Sequence, residues 1–160
     1  MLNDLYDLKS AGADGFVFGA LTSSGHIDET ACRRIIEAAS PLPVTFHRAF
    51  DEALQSPLEI LDIICSLGFS RLLTSGRQKS ADAGVDLIAD MIEHCSGKIV
   101  VMPGAGVQEG NLRKLREKTK AKEFHGSAKS IILDGNGANA GVTITDADKV
   151  RKMKEILKQF

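Results

Sequence analysis

Two short segments of this sequence carry side chains suited to proton or anion chemistry. In residues 44–51 (VTFHRAFD) an apolar run ends in an imidazole and a guanidinium, with a carboxylate three residues further on. An imidazole titrating near neutral pH can move protons or bind a metal, and a guanidinium can hold a carboxylate or phosphate in a two-pronged grip. A second segment, residues 122–129 (KEFHGSAK), again ends an apolar run in a histidine. His47, Arg48 and His125 are therefore the candidate catalytic residues. On spacing alone, Asp51 has two uses, to orient His47 or to pair with Arg48.

A third segment, residues 102–107 (MPGAGV), places Gly104 and Gly106 between an apolar run and a helical pattern. Glycines there let backbone N–H groups converge on an anion at a helix N-terminus; the alternative is a tight strand-to-helix turn. With Gly110 the spacing is GxGxxxG, which departs from the dinucleotide fingerprint GxGxxG. Ser75, Ser127 and Lys129 complete the candidate anion-binding set. His47, Met102 and His125 are the donors at apolar-run ends that suit a soft metal, although a methionine so placed also reads as core. Ser75, His47 and Asp51 name the residue types of a serine hydrolase, but no GxSxG elbow accompanies them.

The elements that must position these residues follow from periodicity. Apolar runs begin at Gly15, Val44, Arg71, Lys98 and Lys122, 24 to 29 residues apart, with amphipathic stretches between them. Ser56, Pro57 and Glu59 read as N-cap, first-turn proline and capping-box acid of a helix stopped by Gly68. Asp28 opens another helix. Ser80 opens a third, stopped by Gly97, and a last helix begins near Thr145 and buries Val150, Met153 and Leu157. Its Lys149, Arg151, Lys152 and Lys154 read as a solvated face. Residues 134–141 (DGNGANAG) read as a loop.

Strict strand and helix alternation predicts a parallel sheet, either a flavodoxin-like doubly wound sheet or part of a (β/α)8 barrel, which takes about 250 residues when complete. In either case ligands bind at the carboxyl ends of the strands. Period-two alternation sends Val44 and Phe46 toward the helices and Thr45 and His47 to the other face, and likewise sets Glu123, His125 and Ser127 opposite Phe124. Both histidines are then expected in a barrel lumen.

Composition bounds the partners. At 160 residues, 43% apolar and 26% charged, the chain reads as one domain over 1–160. Twenty basic residues against 21 acidic ones supply no field for nucleic acid. No stretch reaches the roughly 20 apolar residues of a membrane span, and no signal peptide opens the chain, so a cytoplasmic location is expected. Cys32, Cys65 and Cys95 sit on apolar helical faces with no metal spacing, and read as buried free thiols in a reducing compartment.

The segments GADGFVFGALTSSGHID, PLPVTFHRAFD, LGFSRLLTSG, IVVMPGAGV and EFHGSAKS together resemble the CutC copper homeostasis family, over essentially the whole chain from residue 11 to 160. The resemblance implies a TIM-type (β/α)8 barrel lacking its first three βα units, with five parallel strands present. It further implies a cytosolic and also nuclear protein, self-association, and binding of Cu(I). Family strands that read like EVCVDS and IELCSG have no counterpart here, and their cysteines are the implied copper ligands. Relatives carry FHCSA where this chain reads FHGSA, so Gly126 offers no thiolate beside His125. Five strands of eight leave open edges, so the chain alone is expected to be poorly stable or oligomeric.

Overall fold

The computed structural model describes residues 1–132 and 142–160; the loop expected at 134–141 lies outside the described residues. The chain opens on α1 (Leu2–Ser10), followed by β1 (Phe16–Phe18), α2 (Glu29–Ala39), β2 (Val44–Phe46), the one-turn α3 (Ala49–Glu52) and α4 (Pro57–Leu67). Then come β3 (Arg71–Thr74), α5 (Val85–Cys95), β4 (Val100–Pro103), α6 (Glu109–Thr119), β5 (Lys129–Ile132), β6 (Val142–Thr145) and α7 (Ala147–Leu157).

Local chemistry fixes the helix ends. The Asp28 carboxylate accepts the Ala31 N–H at 2.9 Å and starts α2. Pro57 stands in the first turn of α4, and Gly68, in the left-handed region at φ 92°, ends it. Ser56 supplies no side-chain cap, contrary to its sequence reading. The third helix starts later than Ser80 suggests, after Gly84, and Ser96 at φ 48° ends it one residue before Gly97. Asp146 caps α7 through the N–H groups of Asp148 and Lys149. That helix buries less than its periodicity suggests, since Val150 is 37% exposed and Met153 and Leu157 are half-buried.

Four strands form a parallel sheet in the sequential order β1-β2-β3-β4. Each strand neighbours the next in sequence, as in a barrel wall; a doubly wound sheet reverses its order part-way. Val44, Phe46, Leu72 and Val101 face the helices and join one core with Cys32, Ile35, Ile60, Ile64, Ile88 and Met91. The other face carries the aligned row Val17, Thr45, Arg71 and Val100, then Leu73 beside Met102. Val17 is 65% exposed on that inner face.

A fifth parallel strand, expected at 122–125, is not formed as a ladder. The His125 N–H donates to Pro103 at 2.9 Å, but Pro103 has no N–H to return on that side. The segment is held instead by its side chains: Arg71 grips Glu123 in two-pronged fashion, at 2.7 and 3.1 Å across the inner face. Beyond it β5 and β6 pair antiparallel, an element that the strand and helix alternation does not predict.

Candidate functional site

A cavity of about 450 Å³ opens beside the carboxyl end of β4. Its floor is Leu73, and its walls are the turn after β4 (Ala105, Gly106, Val107), the start of α6, the segment from His125 to Lys129, and Lys149 and Met153 of α7; Arg48 reaches it from the end of β2. The size is that of a small-molecule site. Two close approaches shape it. A Cβ on Gly104 would lie 2.5 Å from Leu73 Cδ1, and one on Gly126 would lie 2.8 Å from the Val107 carbonyl oxygen. Glycine at 126 therefore lets the 125–129 segment close against the turn after β4, and any side chain there would force that turn to shift. Ala105 (φ 68°) and Ala128 (φ 45°) hold left-handed backbone on either side of the cavity, the kind of local strain that gathers at functional sites.

At the α6 N-terminus a cap takes up part of the expected N–H donor set. The helix caps itself: the Gln108 side chain accepts the Asn111 N–H, and Asn111 Oδ1 accepts the Gln108 N–H at 2.9 Å. Glu109 adds a carboxylate in that turn. The positive potential comes from Arg48, Lys129 and Lys149 side chains instead.

Next to the cavity, the ends of β2 and β3 are locked by one carboxylate. Asp51, with only 4% of its side chain exposed, accepts from Arg48 Nε (2.8 Å), Thr74 Oγ1 (2.5 Å) and Ser75 Oγ (3.0 Å). It also accepts from the Ser75 and Arg77 backbone N–H groups, at 3.1 Å each. Burial alone would push its carboxyl up, but these hydrogen bonds together hold it below the usual carboxylate range. Arg48 also donates through Nη2 to Ser75 Oγ at 3.0 Å, so two of its nitrogens are fixed while the residue lines the cavity. Ser75 is fully buried, and its hydroxyl is within 2.6 Å of the Gln78 carbonyl. It is a lock residue, out of reach of a cavity ligand, contrary to its assignment to the anion-binding set.

Of the residues expected at a site, Arg48, His125, Gly106, Ser127 and Lys129 line the cavity together, whereas His47, Met102 and Gly104 do not. His47 Nδ1 accepts the Ala49 N–H at 3.1 Å, and its ring lies against Gly19 and edge-on to Phe46. Asp51 thus pairs with Arg48 and leaves His47 alone, and Ser75, His47 and Asp51 make no triad. Of His47, Met102 and His125 only His125 lines the cavity, and among the described residues no group of three His, Cys, Asp or Glu side chains is placed to hold a metal ion. Cys32 and Cys95 are buried and Cys65 half-buried; burial pushes the Cys32 and Cys65 thiols up, away from the reactive thiolate form.

Two residues escaped the sequence reading. Lys149 was assigned to a solvated face, yet its Nζ donates to the Lys129 carbonyl at 2.8 Å at the cavity wall. Arg77, left-handed at φ 57°, stacks over Phe50 at 5.4 Å, and its Nε and Nη2 have no partner among the described residues. The signal for Lys149 is the Asp146 cap, which sets the first turn of α7 beside β5. Nothing in the sequence marks Arg77.

Comparison with known proteins gives a consistent result. The CutC family model matches residues 1–130. A human protein named "Copper homeostasis protein cutC homolog" is 43% identical over 174 aligned residues, which cover 100% of this chain and 63% of the human protein. The solved structure of a putative copper homeostasis protein CutC from Streptococcus agalactiae superposes with a TM-score of 0.74 at 30% identity, over 78% of this chain and 61% of that one. A structure described as native KDPGal matches 99% of this chain and 65% of its own, with a TM-score of 0.63 at 14% identity, a likeness of fold alone. The architecture is that of a TIM-type barrel wall, and the chain spans less than two thirds of the length of these relatives. Among the described residues no helix is long and apolar enough to cross a membrane. The chain belongs to the CutC family.

Proposed function

We propose that this chain forms, as one partial-barrel unit over residues 1–160, the C-terminal part of a CutC barrel serving copper homeostasis, with Cu(I) as the cargo of the complete protein. The observation that carries this reading is the 43% identity, along the whole chain, to a human protein named for copper homeostasis. Cuprous ion favours thiolate, thioether and imidazole donors. A ligating imidazole keeps its other nitrogen protonated as a donor; in His47, Nδ1 is an acceptor, which leaves the proton on Nε2. His47 therefore does not fit a copper cage, no cluster of three His, Cys, Asp or Glu side chains stands among the described residues, and the proposal places the ligands in the front strands of the complete barrel.

Cytosolic and nuclear residence and self-association belong to the same proposal. Cu(I) titration under reducing conditions against a competing chelator tests the copper reading. Tight one-to-one binding by the full-length barrel, and none by this chain, is the expected result; no binding above background by the full-length barrel removes the reading.

The cavity favours a second reading, a small anionic metabolite held at the strand ends by Arg48, Ser127 and Lys129, with His125 as proton donor or acceptor. The observation behind it is that three of the four charged side chains on the cavity wall are cationic.

A further inference from the structure

Resting on that second reading, we infer that the cavity selects a small dianion, a phosphate monoester, and that Lys149 is the residue that recognises its phosphoryl group. The charge on the wall sets the class. Arg48, Lys129 and Lys149 contribute three positive charges and Glu109 one negative, a balance of two positive. A phosphate monoester carries about −1.5 to −2 at neutral pH and neutralises that balance, whereas a monocarboxylate leaves half of it unmet. Glu109 does not cancel the lysines at close range, since its carboxylate lies 3.8 Å from Lys152 Nζ.

The positions of the cations divide the cavity. Arg48 stands on the barrel side, where Asp51 and Ser75 hold its Nε and Nη2 and leave Nη1 to meet a ligand oxygen. Lys149 reaches the cavity from the first turn of α7, with Met153 one helical turn further on. Its ammonium donates one hydrogen to the Lys129 carbonyl and has no second partner among the described residues, and Ser127 lines the same cavity. Lysine ammonium groups and a hydroxyl suit the three oxygens of a phosphoryl group; the planar Arg48 fork suits the other polar end of the molecule. Leu73 and Met153 supply an apolar lining between them. The lysine wall is itself built: Ser130 Oγ donates to Asp146 Oδ2 at 2.8 Å, and Asp146 accepts the Lys149 N–H at 3.2 Å, so the α7 cap sets where Lys149 begins.

Isothermal titration of the chain with glycerol 3-phosphate, inorganic phosphate and succinate, at constant ionic strength set with chloride, tests the inference. Glycerol 3-phosphate is expected to bind at least tenfold tighter than succinate, which carries a similar charge. Lys149→Gln is expected to weaken it by at least tenfold, Lys149→Arg to retain most binding, and Lys152→Gln to change it less than twofold; circular dichroism checks that each variant folds. If none of the three anions binds above chloride, the anion reading itself falls. If the anions bind and Lys149→Gln leaves glycerol 3-phosphate affinity intact, or if succinate binds as well as glycerol 3-phosphate, the inference falls and the anion reading stands.

Discussion

Two neighbouring regions at the carboxyl ends of the strands use the same residue types to opposite ends. Where β2 and β3 finish, five donor groups close on one buried carboxylate, Asp51, and the single Ser75 hydroxyl proton has two acceptors in reach, Asp51 and the Gln78 carbonyl. Beside β4, Arg48, Lys129 and Lys149 line a cavity, with left-handed alanines in its walls and a glycine at 126 that lets those walls approach. The first region is satisfied by the chain and can only hold it together. The second keeps donors in reserve, which is what binding another molecule requires. Arg48 belongs to both, and the lock is what aims it.

That contrast can be broken from the locked side first. Asp51→Ala strands the Thr74 hydroxyl, the Ser75 and Arg77 N–H groups and one edge of Arg48, and is expected to cost about 3 kcal/mol in urea unfolding. A loss below about 1 kcal/mol would mean that the lock is not structural. On the open side, Gly126→Ala pushes a methyl against the Val107 carbonyl, with an expected cost of about 1–2 kcal/mol and weaker anion binding. An unchanged midpoint and unchanged binding would show that the close approach at 126 does not shape the cavity.

The smallest expected effect is on acid stability. The folded Asp51 carboxyl titrates below its unfolded value, so its contribution is complete above about pH 4 and fades as pH falls through the folded pKa. The wild-type stability curve should therefore drop below pH 4 more steeply than that of Asp51→Asn. Parallel acid limbs would contradict the assignment.

The sequence and the structure part company where a contact depends on a partner far along the chain. The barrel-like alternation, the strand ends and the Asp28 and Gly68 helix boundaries were legible because each rests on local periodicity or on a cap within one turn. Arg48 pairing with Asp51 was one of two open uses, and spacing could not decide between them; the ends of Thr74 and Ser75, more than 20 residues away, did. His47 misled for the same reason. Alternation sets a face but not a partner, and one backbone N–H, that of Ala49, removes His47 from the donor set. The fifth strand failed on a single atom, the hydrogen that Pro103 lacks. Lys149 was hidden among other lysines of a polar helix, and only the placement of α7 against β5 separates it from them.

The measurement closest to the central contrast is an amide NMR titration of the chain with inorganic phosphate. The amides of Gly126, Ser127, Ala128 and Lys149 should shift progressively, while those of Thr74, Ser75, Gly76 and Arg77 stay in place. Largest shifts at residues 74–77, or none anywhere, would contradict the division between a closed lock and an open site.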